Sequence, residues 1–248
     1  MKKMFLALVF AVLFAFGGNA FLFAGTPIKS EPHQRDPYNW AERHADVMAQ
    51  NKKRSPKYIF FGDSIVHHWG GEPKSRHPSG RTQSENAWRK IFDGNAVTNA
   101  GFGFDYIDNA YYRVEAGELD GIRPRAILIL LGTNNLFHLK DRPNVCVEKM
   151  KQFLKLVRKK QPRAKILLIG VLPRREAHSP AIIEATNEGY RSLADNRNVF
   201  YLDAGTALLS SDGKHADARY MRDNVHPNAQ GYERLAELIE PKLKQIAK

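Results

Sequence analysis

Ala126-Ile127-Leu128-Ile129-Leu130-Leu131 is the stretch that most narrows the possible folds. Six apolar residues follow one another with no polar residue on either alternation. A strand with one wet face alternates apolar and polar side chains, so this run reads as a strand covered on both faces, as in the middle of a parallel sheet. Four shorter runs join it: Tyr58-Ile59-Phe60-Phe61, Ala96-Val97-Thr98-Asn99, Ile166 to Leu172, and Val199-Phe200-Tyr201-Leu202.

Segments at helical spacing separate these runs. Trp40, His44, Val47 and Met48 precede the first strand, and Trp88, Ile91 and Phe92 follow it. Ile107, Ala110, Tyr111 and Val114 mark a helix expected from Tyr106 to Glu118. Cys146, Met150, Phe153, Leu154 and Val157 mark a crossover helix. Ile182, Ala185, Tyr190 and Leu193 suggest another, against the local effect of Gly189. Tyr232, Leu235, Ile239, Leu243 and Ile246 form the last stripe. Strand and helix alternate throughout, which predicts an α/β fold: a doubly wound, five-stranded, mainly parallel sheet with helices on both faces, as one domain over 38–248.

The 248 residues suffice for one such domain. The single cysteine, Cys146, excludes an intrachain disulfide, argues against a cysteine-based metal site, and reads as a small buried apolar residue. The formal net charge of +12 is scattered over the helices and includes Lys2 and Lys3. No basic-aromatic array accompanies it, so no nucleic-acid partner is expected and solubility accounts for the charge.

Met1-Lys2-Lys3 followed by apolar Met4 to Phe16 has the form of a signal peptide, with small residues offering cleavage after Ala20 or Ala24. The expectation is export to the periplasm or beyond, with no membrane partner after cleavage. An uncut anchor is the alternative. Residues 25–37 read as a polar, Pro-containing linker.

The strand ends carry the chemistry, because ligands of such sheets bind beyond the carboxyl edge. The first strand stops at Gly62-Asp63-Ser64, where Ser64 is either a nucleophile or part of a helix cap. The second ends in Ala100-Gly101-Phe102-Gly103-Phe104-Asp105, which can aim backbone N–H groups outward. It lacks the third glycine and the downstream acid of a dinucleotide fingerprint. The third offers Asn134, and after the fifth comes Asp223-Asn224-Val225-His226-Pro227. A serine hydroxyl needs an imidazole to take its proton. His226 would be that base, with Asp223 holding its ring, although Asp-x-x-His before a helix could equally be a cap. The backbone N–H groups of Ser64 and of Gly103 or Phe104, with the Asn134 amide, are the candidate oxyanion donors. His67 and His68 are expected to ride on the following helix and point away. Asp63, Trp69, Asp105, Asn135 and His138 are candidate substrate contacts.

With these residues together, the chain resembles the SGNH (GDSL-type) hydrolases. Four blocks stand in the family's order: Gly62-Asp63-Ser64, Asn99 to Asp105, Gly132-Thr133-Asn134 and Asp223-x-x-His226. Gly117-Glu118-Leu119, Gln161-Pro162-Arg163-Ala164-Lys165 and Leu172-Pro173-Arg174 make it most like the platelet-activating-factor-acetylhydrolase-type esterases. The resemblance implies a three-layer α/β/α flavodoxin-like fold and a metal-free, cofactor-free ester hydrolase with Ser64, Asp223 and His226 as triad. Two residues depart from the pattern: Ile65 follows the serine, and Phe104 stands where the family usually has glycine. The bulky ring predicts a narrow acyl pocket suited to acetyl. Three functions follow as expectations: an esterase for small-acyl esters of a carbohydrate or other polar alcohol, a lysophospholipase or thioesterase, and a non-catalytic glycan-binding protein on the same fold.

Overall fold

A computed structural model describes residues 27–33, 38–74 and 83–248. The expected signal peptide, and most of the Gly- and Pro-rich stretch between Trp69 and Ser84, lie outside the described residues.

Five strands form one sheet: β1 (Tyr58–Gly62), β2 (Val97–Gly101), β3 (Ala126–Leu130), β4 (Lys165–Ile169) and β5 (Val199–Leu202). Every pairing is parallel, and the order is β2-β1-β3-β4-β5. β3 is buried at every position, which is why its sequence has no polar alternation. Strand β1 lies between β2 and β3, with Gly62 opposite both Gly101 and Leu130. The chain therefore leaves β1 in one direction and returns to extend the sheet in the other. The crevice of a doubly wound sheet opens at such a reversal.

Among the described residues, eight α-helices flank the sheet: α1 (Trp40–Arg54), α2 (Ser64–His67), α3 (Glu85–Phe92), α4 (Ile107–Glu115), α5 (Thr133–Phe137), α6 (Pro143–Lys160), α7 (Ser179–Ser192) and α8 (Ala229–Ile246). Side chains alternate along each strand, so the sheet has two cores. Ile59 and Phe61 pack with Val47 of α1, Ile107 of α4, Met150 of α6 and Tyr190 of α7. Tyr58 and Phe60 face Trp88 of α3 and Leu235 of α8. Gly189 sits inside α7 because α6 approaches it closely: an added Cβ would lie 2.4 Å from a Val147 methyl. Cys146 is fully buried and its Sγ lies 3.2 Å from the Tyr190 hydroxyl. Burial pushes its thiol up to about 12, so it is inert packing.

The expected linker differs from its reading. Residues 27–33 lie against α4: Lys29 N–H donates to Asp108 Oδ1, Ser30 Oγ to Glu115 Oε2, and Asn109 Nδ2 to the Glu31 carbonyl. Ile28 packs on the first core. A polar composition hid these anchors because most of them use backbone groups, which every residue has.

Candidate active site

Each edge loop is positioned by its strand. Ser64 is the first residue of α2, where β1 ends, and Asp63 caps that helix by accepting the Ile65 N–H on Oδ1 at 2.9 Å. Asp63 is buried, and burial pushes its carboxyl up to about 6, against the Ile65 hydrogen bond and the charges of His226 and Arg174. Ser64 Oγ lies 2.8 Å from His226 Nε2. The opposite ring nitrogen, Nδ1, lies 2.9 Å from Oδ2 and 3.0 Å from Oδ1 of Asp223.

Asp223 does both things its spacing allowed. Its Oδ1 also accepts the backbone N–H groups of Val225 and His226, each at 2.8 Å, so the carboxylate folds its own loop while holding the ring. Burial alone would raise the Asp223 pKa. The His226 ring bond, the two backbone bonds and the imidazole charge outweigh it and hold the carboxyl well below the usual range. Arg222 N–H to the His226 carbonyl (2.8 Å) and Arg175 N–H to the Asn224 carbonyl (3.2 Å) fix the loop to its surroundings.

The second loop is fastened to the first. Phe102 N–H donates to the Gly62 carbonyl at 3.0 Å, and Gly101 lies so close to α2 that an added Cβ would sit 2.3 Å from the His67 backbone nitrogen. Gly103 N–H donates to His67 Nδ1 at 3.0 Å, and Asp105 N–H to the Phe102 carbonyl. The candidate donor Gly103 is thereby corrected: its N–H is already committed. Phe104 N–H lies between these two and has no acceptor among the described residues. Phe104 is the residue that turns the loop, at φ +63°, a conformation natural to glycine and costing another residue about 1 kcal/mol or more.

Asn134 completes the set from α5. One N–H of its amide donates to the Asp105 carbonyl at 3.0 Å, leaving the other for a ligand. The preceding Gly132 adopts φ +126°, and a side chain there would strike the Tyr190 hydroxyl. Three polar donors, from Ser64, Phe104 and Asn134, thus belong to loops tied together by hydrogen bonds at one edge. The arrangement can take a proton from a serine oxygen and stabilise an oxyanion.

Four of the expected substrate contacts are corrected by burial. Trp69 is a core residue against Phe60 and Tyr232. Asp63 is the cap just described. Asn135 accepts from Ile107 N–H and donates to Asp108 and Asp141. Asp105 accepts from Trp40 Nε1 at 2.7 Å and Arg113 Nε at 3.1 Å. His138 borders a cavity. The two early histidines do not point away: His67 holds Gly103, and the His68 ring centroid is 5.8 Å from that of His226. Asp203, the acid that follows β5, faces Arg191 at 3.9 Å.

Sequence reasoning missed the buried cations under the second loop. Arg113 grips Glu118 through Nη1 at 2.6 and 2.7 Å and the Ala100 carbonyl through Nη2. Burial alone would weaken its charge, but Glu118 and Asp105 reverse that and raise its pKa. Arg43 donates to the carbonyls of Gly101 and Asn99. The Arg43 and Arg113 guanidinium groups lie 5.1 and 3.8 Å, respectively, from the Phe102 ring centroid. The visible signal was Arg113 itself, on the apolar stripe begun by Ile107 and Ala110. Among the described residues no group of three His, Cys, Asp or Glu side chains converges to hold a metal.

Residues 60–234 match the model of the GDSL-like lipase/acylhydrolase family. The chain belongs to that family. It is an ester hydrolase by that membership, with the α/β fold of its relatives. It is 31% identical over 198 residues to the platelet-activating factor acetylhydrolase IB subunit alpha1 of Bos taurus, covering 78% of this chain and 77% of the relative. Among solved structures, a GDSL-like lipase from Bacteroides thetaiotaomicron superposes with TM-score 0.59 at 18% identity, over 82% of this chain and 97% of its own. Est24, a carbohydrate acetylesterase from Sinorhizobium meliloti, gives TM-score 0.57 at 19% identity, over 76% and 98%. At these identities the two structures speak for the fold.

Proposed function

We propose that the protein is an exported serine esterase that removes small acyl groups, acetyl foremost, from a carbohydrate or another polar extracellular ester. The observation that carries the mechanism is the 2.8 Å approach of Ser64 Oγ to His226 Nε2, with Asp223 behind the ring. As Oγ attacks the acyl carbon, its proton passes to Nε2. Asp223, held ionised, stabilises the imidazolium and keeps Nδ1 facing it. The carbonyl oxygen becomes an oxyanion that accepts N–H groups from Ser64, Phe104 and Asn134. His226 then gives its proton to the departing alkoxide, leaving an acyl ester on Ser64. Water attacks that ester, His226 takes the water's proton and returns it to Oγ, and the carboxylic acid leaves.

A small acyl group is supported by the acetylhydrolase names of the curated relatives. A carbohydrate alcohol is supported by the name of Est24 and by the charged cavity discussed below. Export rests on the n-region and h-region of residues 1–24. Acetate release from a panel of acetylated polysaccharides and acetylated lipids tests the substrate class, with p-nitrophenyl acetate, butyrate, octanoate and palmitate testing acyl size. The expectation is a preference for acetate and for glycans. Best turnover on octanoate or palmitate would replace this reading with a lipase.

A further inference from the structure

Beside Phe104 opens a cavity of about 920 Å³ that the ester chemistry does not itself require. Four parts of the chain border it: Lys29 to His33, the start of α4, the turn from Phe137 to Asp141, and Lys149 of α6. None of the triad residues lines it. Its link to them is the Phe104 ring, which the strained backbone holds outward, 39% exposed. The His33 ring stacks on Phe104 at 6.5 Å and 14°, and His138 meets it edge-on at 6.0 Å. The residue whose N–H is free for the oxyanion therefore also presents a ring to the cavity's border.

The lining decides what such a cavity can hold. Lys149 Nζ lies 2.9 Å from Asp141 and 3.2 Å from Asp108, with the ammonium almost fully covered. Lys29 and Glu31 add charge at the other side. A hydrocarbon chain laid here would strip water from the exposed charges of Lys29 and Glu31 and offer nothing in return, which is unfavourable. A polyhydroxylated ring offers donors and acceptors to those groups and a C–H face to Phe104, Tyr106 and His138. Its size suits a ligand of one to a few rings.

We propose that this cavity binds the alcohol half of the ester as a short run of sugar units, and that residues 27–33 are a working wall of the substrate site. The proposal rests on the esterase reading of Ser64. It is tested by steady-state kinetics of wild type, His33→Ala, His33→Phe and His138→Ala on two probes, p-nitrophenyl acetate and acetylated xylotriose. The readout is the ratio of kcat/KM on the sugar ester to that on the aryl ester. The ratio is expected to fall at least tenfold in His33→Ala and in His138→Ala, through KM on the sugar ester. In His33→Phe, which keeps a stacking ring, it should stay within about threefold of wild type. An unchanged ratio in both alanine variants overturns the proposal, as does a wild type that hydrolyses the aryl ester and ignores the sugar ester. A wild type inactive on both probes overturns the esterase reading together with it.

Discussion

His67 shows how a single residue can serve a reaction without touching it. Its Nδ1 accepts the Gly103 N–H, which leaves Phe104 to turn outward with its own N–H exposed to a ligand. Replacing His67 with Ala orphans a buried backbone donor, a change worth about 1–3 kcal/mol. Urea denaturation should show that loss, and kcat should fall about tenfold or more as the loop loosens. Asp63 allows a prediction with a definite sign. Its folded pKa, about 6, exceeds the ordinary carboxylate value, so it favours folding when protonated. That contribution is complete below about pH 4 and is lost as pH rises through about 6, an upper bound of about 3 kcal/mol. In Asp63→Asn the amide keeps an acceptor for the Ile65 N–H, and the fall in stability between pH 4 and pH 7 should be smaller than in wild type. An identical fall in both proteins would show that Asp63 does not carry it.

At the scale of elements, the second loop rests on buried charge. Arg113 of α4 is fully enclosed with Asp105 and Glu118 and donates to the Ala100 carbonyl, and Arg43 of α1 donates to the neighbouring carbonyls of Gly101 and Asn99. Removing one partner from such a group leaves an uncompensated buried charge, which costs about 3–5 kcal/mol. Arg113→Leu is therefore expected to lower the unfolding free energy by that amount, measured by chemical denaturation. These connections were largely illegible in the sequence, because Asp105, Arg113 and Glu118 meet only when the chain folds back on itself. What was legible had local causes. The apolar run of β3 announced a strand covered on both faces, and Val199 to Leu202 coincides with β5. The helix expected from Tyr106 to Glu118 is shorter, since the chain turns at Gly117, which adopts φ +100°. The run from Ile166 to Leu172 leaves the sheet at Ile169, and its remaining apolar residues pack in the two cores.

Across the whole molecule, the parallel sheet brings loops as far as 162 residues apart to one edge. Ser64, Asn134 and His226 come from three such loops, and their residue types and order in the chain exposed them to sequence reasoning. The proposed N-terminal wall had no comparable signal: what marks His33 is its stacking on Phe104. The same arrangement explains why burial removed Trp69, Asp63, Asp105 and Asn135 from the list of substrate contacts. Asp63, Asp105 and Asn135 each stand next to a candidate site residue, Ser64, Phe104 or Asn134, but their own side chains are buried. The central claim is that Ser64 is the nucleophile. Turnover of p-nitrophenyl acetate by wild type and by a folded Ser64→Ala protein tests it directly. Wild type should hydrolyse the ester, and Ser64→Ala should lose at least about a thousandfold in kcat, as members of such a unit do. Equal turnover by the two proteins would contradict the account.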